Sequence, residues 1–217
     1  MTGYFEPLPG GGAVIALDDV QISILRSLAV QLLELIGPGE QPVAGDDPLA
    51  ALFAEGPSEP PTDPALARLF PDAYGGPELA GAVEGDDPEA RRALEEARIA
   101  SAEFRRYTEN DLRARKRDDA LAVVRALDGL THGGRGSADG VALAGGEAVL
   151  ELDPDESRRW LGALNDLRLA IGTRLEVTDE DDGSELLLPE ADPRKPIALA
   201  YRWLGGLQES LVETLMT

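Results

Sequence analysis

Two Asp-Pro dipeptides, Asp87-Pro88 and Asp153-Pro154, each stand directly ahead of a run of apolar residues spaced three and four apart. The aspartate can take up orphan N–H groups of a first helical turn, and proline has the φ that its first position needs. Glu89 adds an acid to the positive end of the helix dipole. After Asp87, the residues Leu94, Ala97, Ser101 and Phe104 hold one stripe, and Leu112, Ala120, Val123, Val124 and Leu127 resume it. Thr108 with Asp111 offers a second cap inside the run, so the pattern allows one long helix or two with a kink near Tyr107–Thr108. After Asp153, the stripe is Trp160, Leu164, Leu167 and Ile171.

Two more helices follow from the same logic. Asp18 with Gln21 three residues on forms a capping-box pair ahead of Ile22, Leu25, Ala29, Leu32 and Ile36, and Gly37-Pro38 ends that run. A last helix starts at Pro196 and carries Ile197, Tyr201, Leu204, Leu207, Leu211 and Leu215 on one face. Tyr4–Leu8 and Ala13–Leu17 flank a proline and three glycines and read as a β-hairpin. Those glycines do not form a phosphate loop, because a strand rather than a helix N-terminus follows them. Val141–Leu152 reads as a second hairpin around Gly145-Gly146.

Residues 38–88 differ in composition, holding 10 of the 16 prolines and many acids. They read as a partly ordered excursion with helical islands at Pro48–Ala54 and Pro64–Phe70, pinned by Leu49, Leu52, Phe53, Leu66, Leu69, Phe70 and Tyr74. The expected architecture is therefore mainly α: a single-domain helical bundle over 1–217 with two short β-hairpins and this Pro-rich acidic excursion. The first hairpin and helix occupy 1–37, and the main helical part occupies 89–217. No internal repeat is present.

Charge narrows the function. Forty-one acids against 20 Lys and Arg give a formal net charge of −21, which repels nucleic acid on average and attracts a basic patch on a protein. Only Arg91–Arg125 runs the other way, with 10 cations against 7 acids. There is no cysteine, which excludes disulfides, thiolate metal sites and cysteine nucleophiles in these 217 residues and fits a reducing cytoplasm. The N-terminal residues lack the basic and apolar regions of a signal peptide, and Leu28–Ile36 is too short and too polar to cross a membrane.

Four stretches of the sequence are candidate sites. The acids around Asp179–Glu190 fail as an EF-hand: from Asp179 the glycine falls at position 5, and from Thr178 a proline falls at position 12. No catalytic motif is present, and the lone histidine, His132, falls in an expected loop over Thr131–Gly140, so no catalytic or metal-binding residue and no cofactor is assigned. Arg113, Arg115, Lys116 and Arg117 could contact nucleic acid from a winged helix-turn-helix-like segment over 94–152. Glu109, Asp111, Asp118 and Asp119 interrupt that patch, and the competing reading is a solvated helix laced by salt bridges. Finally Asn165, Asp166, Arg168 and Arg174 cluster on one helix. Asp166 paired with Arg168, or either paired with Arg202 or Glu209 on the last helix, would fix the register of the two helices. The same residues could instead present a docking surface for a protein.

The stretches "FRRYTENDLRARKRDDALAVVRAL", "WLGALNDLRLAIGTRLEVTDEDD" and "YRWLGGLQESLVETL", in that order and spacing, resemble an actinobacterial family long known only as a domain of unknown function, one branch of which is the AosR-like oxidative-stress regulators. The resemblance runs from "FEPLPGGG" to the C-terminal helix. It implies a cytoplasmic, non-enzymatic transcription regulator that works with an alternative sigma factor, on genes of a sulfur-carrier-dependent cysteine synthesis route. It leaves self-association open. Some members of the family carry an N-terminal Cys-x-x-x-Cys pair for sensing oxidants. This chain has none, and its two methionines, Met1 and Met216, are terminal substitutes of little use.

Overall fold

A computed structural model describes residues 3–38, 55–75, 88–133, 147–177, 188–189 and 191–216. The protein is mainly helical, with a small three-stranded antiparallel sheet. Its contacts divide it into two units: Met1–Leu35 with Lys116–Thr217, and the contiguous stretch Ile36–Arg115.

In the first unit, β1 (Glu6–Pro7), β2 (Ala13–Asp18) and β3 (Glu147–Leu152) lie in the order β1-β2-β3. The turn expected between the first two strands is present. Gly12 closes it at a φ of 92°, where a Cβ would run into the backbone carbonyl of Leu152. Glycine is therefore required there on two counts, the left-handed backbone and the close approach of β3. Of the second expected hairpin, Val141–Leu152, only its latter half is described. Residues 147–152 add to β2, with Ala13 opposite Leu152 and Leu17 opposite Ala148, while 141–146 lie outside the described residues. The pairing has a plain cause. Ala13, Ile15 and Leu17 alternate onto one buried face, and Leu150 and Leu152 bring a matching apolar pair to it.

The sheet leads into α1 (Asp19–Ile36), capped as its sequence requires: Gln21 donates its N–H to the Asp18 carboxylate at 2.7 Å, and the Gln21 side chain accepts from the Asp18 N–H at 2.9 Å. Ile22, Leu25, Ala29, Leu32 and Ile36 are all buried.

A 46-residue helix, α3 (Pro88–Gly133), settles the question of a kink: it runs unbroken through Tyr107 and Thr108. The Thr108 hydroxyl donates back to the Phe104 carbonyl at 2.8 Å, so it serves the helix interior instead of capping a new start. The helix also takes in Thr131–Gly133, which the sequence assigned to a loop. Its later part buries Ala120, Val123, Val124 and Leu127 in the first unit.

Two helices complete that unit, α4 (Pro154–Leu175) and α5 (Lys195–Leu215), the latter starting one residue before the expected Pro196. Asp153 accepts from the N–H groups of Asp155 and Glu156 at 2.8 Å, and the Glu156 side chain accepts from the Asp153 N–H at 3.0 Å. At the other end Glu176 turns left-handed (φ 57°), and the Val177 N–H closes onto the Gly172 carbonyl at 3.0 Å. Helices α4 and α5 pack together through Trp160, Leu164 and Leu167 from one and Leu204, Leu207 and Leu211 from the other, all buried. Phe5 stands edge-on to Trp160 with ring centroids 6.0 Å apart, which seals the sheet's start onto this core.

In the second unit, α2 (Pro64–Leu69) is capped by Asp63 and buries Ala65, Leu69 and the following Phe70. The other expected island, Pro48–Ala54 with Leu49, Leu52 and Phe53, lies outside the described residues, as does Asp87. The first part of α3 departs from the expected stripe. Ser101, Arg105 and Glu109 are its buried positions, whereas Phe104 and Leu112 are exposed. The reason is electrostatic. Both terminal nitrogens of Arg105 donate to the Phe70 carbonyl at 3.1 Å, closing the end of α2, and the same guanidinium pairs with Glu109 at 2.6 Å and Asp72 at 2.8 Å. Tyr74, expected as a core anchor, is exposed too, because its backbone is what is held: the Tyr74 N–H and carbonyl both bond the Ser101 hydroxyl.

Candidate docking groove on the first unit

Helices α4 and α5 form a groove with the N-terminal strand. Gly172, Gly205 and Gly206 let large groups lie against helix backbone. An added Cβ would meet the Tyr201 ring at 3.2 Å from Gly172, the Arg168 guanidinium at 3.7 Å from Gly205 and the Tyr4 ring at 2.7 Å from Gly206. Glycine inside a helix is unfavourable by about 1 kcal/mol relative to alanine, so these positions serve contact and not helix formation. Arg168 is the pivot. Its guanidinium lies 5.3 Å from the centroid of the Tyr201 ring and donates to the Gln208 side chain at 2.7 Å, and Gln208 donates in turn to Asn165 at 3.4 Å. The Arg168 Nε is buried and finds no acceptor among the described residues.

The outcome is an open groove of about 1400 Å³, with Tyr4, Arg168, Tyr201, Arg202 and Trp203 on its walls and Glu6, Glu209 and Glu213 contributing carboxylates. Rings and guanidinium groups held in place by their neighbours are the side chains that dominate protein interfaces, because they cover large area with little freedom left to lose.

The polar cluster on α4 resolves into separate environments. Asp166 does not pair with Arg168, Arg202 or Glu209. It faces α3 and pairs with Lys116 at 2.6 Å. The reason is helical geometry: positions 166 and 168 are about 200° apart around α4, so one faces α3 while the other faces α5. Asp166 is 3% exposed. Burial pushes its carboxyl above the ordinary aspartate value, and the hydrogen bond and charge of Lys116, with a hydrogen bond from Asn165, offset that only in part. Arg174, Arg202 and Glu209 are exposed, and Asn165 is exposed beside Gln208. Arg168, Arg202 and Glu209 thus meet at the groove, Asn165 supports it, and Asp166 and Arg174 are not among its walls.

The basic run on α3 is used mostly inside the protein. Arg113 donates to the Ile36 carbonyl, pairs with Glu109 at 2.6 Å and stacks over Phe70 at 4.4 Å. Lys116 is committed to Asp166, and Arg117 donates to the Leu33 carbonyl at 3.3 Å. Arg115 alone of the four is exposed. The winged helix-turn-helix reading also fails on architecture, since one helix covers 94–133 with no turn in it and the next described element is β3, inside the sheet.

The buried Arg105–Glu109–Arg113 ladder was missed in the sequence, although its i, i+4, i+8 spacing of alternating charge was there to see. Burial alone would lower the Arg105 pKa, but the hydrogen bonds it donates to Asp72 and Glu109, with their charges, more than reverse this. Among the described residues no three His, Cys, Asp or Glu side chains gather as a metal set, and no helix is long and apolar enough to cross a membrane. Residues 178–187 and 190 of the acidic run lie outside the described residues.

A mainly α protein with a three-stranded sheet and this groove is the class the coordinates define. Comparison with known proteins then places it: a family model described as a domain of unknown function, DUF2017, matches residues 2–215, and the chain belongs to that family. Its similarity extends to proteins named oxidative stress regulator AosR in Mycobacterium tuberculosis and Mycobacterium bovis, each 31% identical over 199 residues, covering 90% of this chain and 78% of theirs. A protein named putative oxidative stress regulator AosR in Mycobacterium leprae is 29% identical over 197 residues, covering 90% of this chain and 79% of its own. The chain is thus AosR-like in sequence. No solved structure matches it.

Proposed function

We propose that this protein is a non-enzymatic, cytoplasmic regulator in the response to oxidative stress, and that it works by holding a protein partner in the groove formed by its N-terminal strand, α4 and α5. The observation that carries the reading is the set of rings and guanidinium groups fixed there by glycines, with Arg168 locked between Tyr201, Gly205 and Gln208. The partner is a component of the transcription machinery with a basic patch, a sigma factor first. The net charge of −21 and the groove carboxylates Glu6, Glu209 and Glu213 favour such a surface. The names of the relatives supply the oxidative-stress context. With no cysteine in the chain, the signal reaches it through the partner and not through a disulfide of its own.

The test uses purified protein, an alternative sigma factor from the same cell and core polymerase, with binding followed by interferometry. Glu209→Arg is the diagnostic variant, because the side chain is exposed on the groove and reversing its charge opposes a basic patch while leaving the core intact. A complex weakened about tenfold or more by this change supports the reading. No complex with either component, or one indifferent to Glu209→Arg and to Tyr4→Ala, overturns it.

A further inference from the structure

We infer that the solvent face of α3 in the second unit is a separate docking surface, one that takes an arginine-bearing segment of a partner protein. The chain holds two Trp, four Tyr and four Phe in all. Three of these ten, with one isoleucine, stand in a single exposed group: Ile99 is 59% exposed, Phe104 48%, Tyr107 64% and Tyr74 52%. Exposed apolar residues scattered singly need no explanation, whereas a contiguous group in an aromatic-poor chain does. These four do belong together. Ile99 and Tyr107 are eight residues apart on the helix, Phe104 and Tyr107 three apart, and Tyr74 meets Phe104 edge-on with centroids 6.2 Å apart. Tyr74 is fixed by the two bonds between its backbone and Ser101, so the Phe104 ring leans on a held neighbour.

The charges around the rings specify what they would bind. Glu96, Glu103 and Asp111 share this face and are exposed. None has a cation partner among the described residues. On the other side of the same helix, by contrast, Glu95 pairs with Arg98, and Glu109 with Arg105 and Arg113. Two cations lie at the ends of the face, Arg92 one turn before Glu96 and the exposed Arg115 one turn after Asp111. Rings flanked by unpaired carboxylates suit a guanidinium, which stacks flat on an aromatic face while its N–H fork engages a carboxylate; an ammonium does the second without the first. A second copy of this chain would bring like charge to like charge, and nucleic acid would meet three carboxylates. The surface lies wholly in the second unit and does not rest on the groove described above.

The probe is a set of synthetic amphipathic helical peptides, identical in their leucine face and carrying Arg, Lys or Glu on the other, followed by fluorescence anisotropy at low and physiological salt. The Arg peptide should bind, the Lys peptide more weakly, and the Glu peptide at least about tenfold more weakly than the Arg peptide. Phe104→Ser with Tyr107→Ser should weaken the Arg peptide about tenfold, a loss of roughly 1.4 kcal/mol, with an unchanged melting temperature. Glu103→Arg with Asp111→Arg, which leaves the rings in place, should reverse the preference. Equal binding of the Arg and Glu peptides, or indifference to both pairs of substitutions, overturns the inference. So does a concentration-dependent dimer in sedimentation that the serine variant abolishes, since the occupant is then a second copy.

Discussion

Replacing Lys116 by methionine tests whether α3 and α4 are registered by a charge pair. Lys116 and Asp166 meet at 2.6 Å with side chains 15% and 4% exposed. Methionine keeps most of the lysine stem, so packing is little changed while the charge is removed. Asp166 is then a carboxylate that can neither pair nor rehydrate, and breaking a buried pair in this way costs about 3–5 kcal/mol. The pH dependence has a definite sign. The Asp166 carboxyl is already raised above its ordinary value by burial, and Lys116 is the larger of the influences holding it down. Without Lys116 it rises further. The native state then holds a proton that the unfolded state has released, so stability falls as pH rises from the unfolded carboxylate value through the native one, by about 1.4 kcal/mol per pH unit at most. The deficit of Lys116→Met relative to the parent should therefore grow as pH rises through that wider window and level off above it. Urea unfolding followed by tryptophan fluorescence between about pH 5 and pH 8 measures it. That range stays above the sequence pI of about 4.3, where solubility fails. The double variant Lys116→Met with Asp166→Leu should recover to within about 1 kcal/mol of the parent, because no charge is left to desolvate. A single variant costing less than about 1 kcal/mol with no pH dependence, or a double variant equal to the sum of the singles, would refute this account of the pair.

Three further outcomes follow from the same coordinates. Gly12→Ala should destabilise by about 1–3 kcal/mol from the left-handed φ alone, with more from the overlap with the Leu152 carbonyl, seen as a lower melting temperature. Gly206→Ala should leave stability within about 1 kcal/mol, since the gain in helix propensity offsets displacement of the exposed Tyr4 ring, yet weaken partner binding in the interferometry assay. Glu109→Gln leaves Arg105 and Arg113 without their shared carboxylate and should cost roughly 3 kcal/mol. Hydrogen exchange should show that loss first at the α2 end and along the early part of α3.

What the sequence made legible was whatever depends on neighbours in the chain. The caps at Asp18 and Asp153 and the stripe of α1 are local, and they stand as read. The partners of β3 and Asp166 were not legible, because each lies far along the chain and the choice is made by packing. Nothing in Glu147–Leu152 says that Ala13–Asp18 is its mate, and nothing near Asp166 points to Lys116, fifty residues earlier. Early α3 was misread for a third reason. Apolar periodicity assumes that apolar residues define the buried face, and there Arg105 and Glu109 take it while Phe104 and Tyr107 face solvent. At the groove, the basic and acidic residues of α4 and α5 were visible, but the part of Gly172, Gly205 and Gly206 was not. A glycine inside a helical pattern gives no hint of which ring will lie on it.

The central strand of the sheet has a consequence for how the chain is made. Strand β2 emerges from the ribosome well before its mate β3, which begins at residue 147. At about 5–20 residues per second, Ala13–Asp18 waits on the order of ten seconds with one edge unpaired. The contiguous unit Ile36–Arg115 has fully emerged well before that. Biogenesis is therefore ordered, with the N-terminal hairpin held open as a template that only the later chain can close. An exposed Ala-Val-Ile-Ala-Leu edge during that interval is where misassembly would begin, and where a holding chaperone would find the nascent protein.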